Sequence, residues 1–259
     1  MNKISRRSLA KGAAWAAPVI ISATAVPAYA ASQLCTNAST TSITWTNFVR
    51  STPASSQGST SHSGSVVTND GQAVLTINHV SSTGPSLSGA QNLMTKKSQS
   101  IPFPTYSGLS DYLFVQSLAK GSGGYTGGSQ KSTMTMSFST PVTGFSFVIG
   151  DIDQGGSWQD VYTVKSSLMG EATSAPMVTG DADISTNGDT TSFSAKKTNV
   201  DLKPTSTAGT VTLTFPEPID TITLTWANGG NRTGGQNFVI GGKTTLSVCS
   251  TPTSTSATS

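Results

Sequence analysis

The chain has 259 residues, of which only 10% are charged, and it carries a formal net charge of +3 at pH 7. Four of its 15 basic residues lie in the first 30 positions, which hold no acidic residue, so the rest of the chain has 11 basic against 12 acidic residues. The net positive charge therefore belongs to the N-terminal segment. The remaining basic residues are scattered, which excludes the clustered basic surface of a nucleic-acid-binding protein.

The first 30 residues are organised like an export signal. Arg6 and Arg7 precede a weakly apolar run over residues 13–26, and Ala28-Tyr29-Ala30 is a small-x-small cleavage site. The arginine pair with Lys11 resembles the twin-arginine (Tat) class of bacterial signals, which implies passage through the Tat export machinery and cleavage after Ala30. The apolar run is too short and too polar for a stable membrane span. We therefore expect a mature chain that is secreted or held at the cell surface by non-covalent contacts.

The mature chain consists of short strand-like segments in a background rich in Ser, Thr and Gly. Apolar and polar residues alternate along most segments, so each of these has one face exposed to solvent. Such strands are typical of antiparallel sheets. The segments are Thr41–Val49, Ala73–Val80, Asp111–Leu118, Met134–Phe138, Phe145–Ile149, Val161–Lys165, Val211–Phe215, Ile222–Trp226, Phe238–Ile240 and Thr244–Cys249. We predict one all-β domain over residues 31–249, an antiparallel β-sandwich of jelly-roll type, followed by a disordered Ser/Thr tail over residues 250–259.

An internal repeat lies within these strands. Residues 136–151 align without a gap with residues 213–228, and Pro141 matches Pro218. Proline fixes φ and lacks a ladder donor, so each copy is predicted to be a strand, a turn and a second strand. We expect two similar β-hairpins; independent convergence on a common hairpin pattern is the alternative.

Three carboxylates surround the glycine turn that follows the first copy. Asp151 and Asp153 are two positions apart and share one side of an extended segment, and Asp160 follows the turn. Oxygen ligands of this kind suit Ca²⁺, so the loop is a candidate calcium site. The alternative is that the aspartates accept hydrogen bonds from N–H groups of the loop.

The same stretch carries a second resemblance. The sequence from Phe145 to Asp153, together with Asp160-Val161, is similar to a motif of secreted and wall-associated β-sandwich domains of Gram-positive bacteria. The resemblance covers only this segment, and it implies a surface-associated protein.

Aromatic residues suggest carbohydrate as a ligand class. Trp158 stands in a polar loop, where an exposed indole would stack on a sugar ring. Trp45, Tyr162 and Trp226 are weaker candidates, because aromatic residues carry much of the buried area of a core.

A Gly/Asn-rich loop follows the second copy of the repeat. If the two copies are equivalent, both loops start from corresponding strand ends. Asn228, Asn231 and Arg232 are therefore predicted to join Trp158 in one ligand-binding surface.

The two cysteines, Cys35 and Cys249, lie near the ends of the mature chain. An exported chain meets an oxidising compartment, so we predict a disulfide between them. The alternatives are two free thiols or a lipid anchor on Cys35.

No catalytic motif is evident. His62 lies in a Ser/Thr/Gly-rich stretch and is expected to be solvated, and His79 ends a predicted strand. The chain has no G-x-S-x-G elbow and no positioned acid and base pair. We predict a non-catalytic binding or structural protein that recognises an extracellular glycan or protein through loops at one end of the sandwich. The alternatives are a carbohydrate-binding module and a secreted hydrolase with an unrecognised site.

Overall fold

The protein is almost entirely β-structure. The computed structural model describes residues 35, 38–51, 61–83, 92–95, 107–118, 131–156, 158–203, 205–230 and 236–249. The predicted signal and the C-terminal tail lie outside these ranges. Within them, no helix is long and apolar enough to span a membrane.

All strand pairs are antiparallel. The described strands are β1 (Ser39–Ile43), β2 (Val49–Arg50), β3 (Ser61–Val67), β4 (Val74–Thr83), β5 (Met94–Thr95), β6 (Tyr112–Leu118), β7 (Lys131–Gly150), β8 (Asp160–Leu168), β9 (Glu171–Ala172), β10 (Met177–Gly180), β11 (Asp183–Asn187), β12 (Thr190–Ser194), β13 (Val211–Phe215), β14 (Ile219–Asn228) and β15 (Gln236–Val248). The predicted all-β, sandwich-like fold is confirmed.

The predicted segment Thr41–Val49 is not one strand. It contains the end of β1, a 3-10 turn at Trp45–Asn47 and the start of β2. Asp111 sets this turn, because its carboxylate accepts hydrogen bonds from the backbone N–H groups of Trp45 (2.9 Å) and Thr46 (2.8 Å). The interruption is produced by a residue more than 60 positions away, which a local pattern does not reveal.

The long strand β7 belongs to both halves of the sandwich. Its first part pairs with β4 and β14, and its second part pairs with β13 and β15. Between them Gly144 takes a left-handed conformation (φ 64°), which suits a glycine at a bulge where the chain changes direction. One half then has the order β11-β12-β8-β14-β7-β4-β3-β2, and the other has β10-β13-β7-β15-β6-β5, with β1 on β15.

The predicted pair of hairpins is wrong. The two copies of the repeat pair with each other rather than each folding back on itself: Phe147 lies opposite Leu213, and Met136 lies opposite Ile222. Strict twofold symmetry would put Met136 opposite Leu224, so the two arms differ in register. In the first copy, Pro141 lies inside the continuous strand β7, and the strands that pair with β7 change near this residue. In the second copy, residues 216–218 separate β13 from β14.

The inward faces of the two halves form one large core. At its centre Phe138 and Phe145 meet edge to face with ring centroids 5.0 Å apart, and Phe147 and Phe215 stack at 6.2 Å. Such aromatic pairs add to the gain from burial alone. The alternation of apolar residues in the sequence therefore identified the buried faces of these strands.

The predicted disulfide is confirmed. Cys35 is bonded to Cys249, and β1, which starts just after Cys35, pairs with the end of β15 through Ser39 opposite Val248. The backbone N–H of Cys249 also donates to the carbonyl of Pro141 (2.9 Å). The bond therefore lies beside the pairing of β1 with β15, the first and last strands that the structure describes.

Candidate functional site

The loop from residue 151 to residue 159 joins the end of β7 to the start of β8. Asp151 adopts a left-handed conformation (φ 70°), which aspartate tolerates better than most residues. Ile152 then turns inward and is fully buried, and its N–H donates to the carbonyl of Gly209 (2.9 Å). The chain therefore leaves β7 through Asp151, in a left-handed conformation, and Ile152 anchors it to the core.

Asp153 and Asp160 hold the two ends of this loop together. The N–H of Asp153 donates to the Asp160 carboxylate (3.1 Å), and the N–H of Asp160 donates to the Asp153 carbonyl (3.0 Å). The other Asp160 oxygen accepts the indole N–H of Trp226 (2.7 Å), and the Asp153 carboxylate accepts the N–H of Leu202 (2.9 Å). The two carboxyl groups thus fix the loop to β14 and to the segment before β13.

Burial governs the charge of this cluster. It raises the pKa of Asp160 well above its ordinary value, and it also raises the pKa of Asp153. The pKa of Asp151 is raised to about 7, first by burial and then by the negative charge of Asp153. Near neutral pH the cluster therefore retains protons that isolated carboxyl groups would have lost.

Tyr162 lies beneath these carboxyl groups on β8. It is fully buried, and its hydroxyl makes no hydrogen bond with the described residues. Burial, and then the charges of Asp160, Asp151 and Asp153, raise its pKa well above the usual value. Tyr162 is therefore a neutral core residue, stacked on Phe193 at 4.9 Å, and not a surface aromatic.

Trp158 is the partly exposed aromatic of the loop. Its six-membered ring lies directly against Gly155, where any side chain would collide with it. Its indole N–H points to the Asp153 carboxylate at 3.4 Å, and its carbonyl accepts the N–H of Gly155 (3.0 Å). The ring is therefore held against Gly155, and the residue as a whole is partly exposed to solvent.

The two described residues that follow β14, Gly229 and Gly230, lie beside the end of the loop after β7, where the N–H of Gly229 donates to the carbonyl of Gln159 (2.8 Å). Asn228 pairs with Asp160, and its side-chain oxygen accepts hydrogen bonds from the N–H groups of Gln159 (3.2 Å) and Gly230 (2.8 Å). Asn228 is itself buried, so its observed role is to join the loops. Its predicted contact with a ligand stays a prediction, and Asn231 and Arg232 lie outside the described residues.

The hydrogen bonds of the loop leave few carboxylate oxygens free to bind calcium. Every carboxylate oxygen of Asp153 and Asp160 already accepts an N–H hydrogen bond, which matches the alternative expected from the sequence. Within the described ranges, no group of three or more His, Cys, Asp or Glu residues is arranged to hold a metal ion. Asp151 remains available, and calcium binding stays a prediction.

The other weak aromatic candidates also belong to the core. Trp45 is fully buried and donates its indole N–H to the Thr244 hydroxyl (2.8 Å), and Trp226 is buried against Asp160. Of the four candidate aromatic residues, only Trp158 is therefore available for stacking on a ligand.

The burial of His62 and His79 was not predicted from the sequence. His62 and His79 face each other across β3 and β4, and both are fully buried, so the expectation that His62 is solvated is wrong. Nδ1 of His79 lies 3.0 Å from the side-chain nitrogen of Asn92. The alternation of His62 with Gly64 and Val66 carried a signal for burial, although the surrounding Ser and Gly residues obscured it.

His79 makes stability dependent on pH. Burial lowers its pKa from 6.5 to about 4, so its contribution is fully present above pH 6.5 and is lost as the pH falls towards 4. At about 1.4 kcal/mol per tenfold change in proton affinity, the loss approaches 3 kcal/mol. We expect the stability advantage of the wild type over His79→Gln to shrink by about that amount over this range, measured by urea unfolding. An advantage independent of pH would contradict this assignment. Comparison with the variant matters, because the raised pKa of Asp151 acts in the opposite direction.

The fold and loop together define a disulfide-closed, all-β, sandwich-like protein with an acidic loop between β7 and β8. No protein-family model matches the chain, and comparison with curated proteins finds no match.

Proposed function

We propose that this chain is an exported, non-catalytic binding protein that recognises an extracellular ligand through the loop after β7. The observation that carries the proposal is the arrangement of Trp158, a partly exposed residue whose ring packs against Gly155 and whose indole N–H points to Asp153. A preordered aromatic side chain loses little conformational entropy on binding, which favours affinity. The signal-like N-terminus and the disulfide support an extracellular setting.

Carbohydrate is the ligand class that this arrangement favours. The Trp158 ring offers an apolar face, while Gln154 and Gln159 pair beside it and Asp151 is available as a hydrogen-bond acceptor. Sugar rings present apolar C–H faces and hydroxyl edges, so they match an aromatic plane next to polar groups. A protein ligand is the second candidate, and a rigid, partly exposed Trp is equally suited to anchor one.

A glycan array tests the proposal. We expect Trp158→Ala to weaken binding about 30-fold, as expected for loss of an interface anchor worth about 2 kcal/mol. Trp158→Phe keeps a ring but loses the N–H to Asp153, so it should retain part of the affinity. Met177→Ala, which removes an exposed apolar side chain on β10, is the matched control and should bind normally.

The same array separates the alternatives. Binding that requires calcium and is lost in Asp151→Ala would support a metal-braced loop. Binding unaffected by Trp158→Ala would place the ligand elsewhere and contradict the proposed site. Absence of glycan binding would leave a protein ligand or a structural role, and turnover of any polymer would overturn the non-catalytic proposal.

A further inference from the structure

The strand β11 forms an open edge of the sheet. Among the described strands it pairs only with β12, and all five of its residues are exposed, including Ile184 at 40%. Natural proteins usually protect such edges with lysine, proline or a bulge, because unpaired N–H and C=O groups recruit further strands. The sequence of β11, Asp-Ile-Ser-Thr-Asn, contains neither lysine nor proline.

The turn between β11 and β12 determines which backbone groups of β11 point away from the sheet. Asn187 pairs with Thr190 across a two-residue turn, in which Gly188 takes a φ of 60°. The closing pair of such a hairpin exchanges both backbone hydrogen bonds, and bonded pairs then alternate with unbonded pairs. Ser185 therefore bonds to β12, whereas Ile184 and Thr186 direct their N–H and C=O groups away from the sheet.

We propose that β11 pairs antiparallel with β11 of a second copy of this chain, about a twofold axis that passes through Ser185. This register places Ile184 opposite Thr186 of the second copy, and the two symmetric pairs exchange about four hydrogen bonds. Asp183 falls opposite Asn187 of the second copy, so a carboxylate meets an amide donor. The edge is therefore complementary to itself, as a twofold interface requires.

The same geometry sets the strength of the pairing. A five-residue edge buries much less than the roughly 1,600 Å² of a standard stable interface. We expect a weak dimer whose population rises with concentration and whose apparent mass approaches twice that of one chain.

Cysteine cross-linking tests the register. In the proposed dimer Ser185 faces its own copy as an unbonded pair, with Cα atoms about 4.5 Å apart, within the disulfide range of about 4.4–6.8 Å. Ser185→Cys should cross-link on mild oxidation with the native disulfide intact. Ser192→Cys is the matched control, since it lies on the same face of β12 but about 14 Å from its counterpart, three strand spacings away.

A second variant tests the backbone contacts. Thr186→Pro removes one outward N–H from each copy while leaving the β11–β12 backbone bonds in place. We expect light scattering to show that this variant stays monomeric at concentrations where the wild type dimerises, with an unchanged far-ultraviolet circular dichroism spectrum. The proposal is overturned if the wild type is monomeric up to millimolar concentration. It is equally overturned if a dimer forms but Ser185→Cys cross-links no faster than Ser192→Cys.

Discussion

Replacing Cys35 and Cys249 together by serine is expected to lower the free energy of unfolding by about 4–5 kcal/mol. The disulfide spans 214 positions, so it closes nearly the whole described domain into one loop. Its loss restores to the unfolded chain the freedom that the cross-link had removed, and this chain entropy grows with loop length. Urea unfolding of the double variant and the wild type measures the difference, and the double replacement avoids a lone reactive thiol.

A matched control separates the cross-link from ordinary contacts at the same place. Thr40 and Ser247 join the same two strands through a hydroxyl–hydroxyl hydrogen bond of 3.2 Å at the surface. Changing both to alanine should cost less than about 1 kcal/mol, because exposed hydrogen bonds contribute little net stability. If the cysteine variant lost no more than this control, the covalent link would not be what stabilises the domain.

Replacing Asp160 by alanine is expected to cost about 3 kcal/mol. The change leaves the buried indole N–H of Trp226 and the N–H of Asp153 without their acceptor, and each unpaired buried donor costs about 1–3 kcal/mol. The loop should also loosen, since Asp160 joins it to β14. Thermal and urea unfolding measure the loss, and Trp226 fluorescence reports the change around the indole.

Asp160→Asn and an exposed aspartate provide the comparisons. Burial raises the pKa of Asp160 well above its usual range, so the neutral amide resembles the protonated acid and keeps an oxygen for Trp226. We therefore expect Asp160→Asn to lose less stability than Asp160→Ala. Asp189→Ala breaks a surface ion pair with Lys165 at 3.9 Å and a hydrogen bond from the hydroxyl of the adjacent Thr190 at 2.9 Å, and it should change stability by less than about 1 kcal/mol. Equal losses in all three variants would contradict the role assigned to Asp160.

The sequence could predict much of the local structure. Alternation along Val211–Phe215 and Ile222–Trp226 marks one buried face, because successive residues of a strand point to opposite sides. The export-like N-terminus gave a reason to pair Cys35 with Cys249, and two cysteines allow only one intramolecular bond. These inferences depend on the alternation of neighbouring residues and on the number of cysteines, so they could be made without knowing how the strands pair.

The proximity of the three aspartates was predicted from the sequence, but most of their contacts were not. Asp151, Asp153 and Asp160 do lie together, as their spacing around a glycine turn indicated. The sequence did not reveal that Asp160 is the acceptor for Trp226, 66 positions away, or that Asn228 is buried between two loops. Both facts depend on the register between β8 and β14.

The sequence by itself determined where many of the core strands lie, though not β3 or β10 to β12, which of their faces are apolar and which two cysteines can bond. The tertiary structure alone decided which strands are neighbours, and that choice turned a predicted pair of hairpins into two mutually paired copies, with Phe147 opposite Leu213. It also buried His62 against His79 and left Trp158 partly exposed. The physical reason is that a strand's alternation specifies a buried face but not its partner, because many apolar faces fit one another about equally well. Pairing is settled only when the whole core is packed and its buried polar groups find their hydrogen bonds.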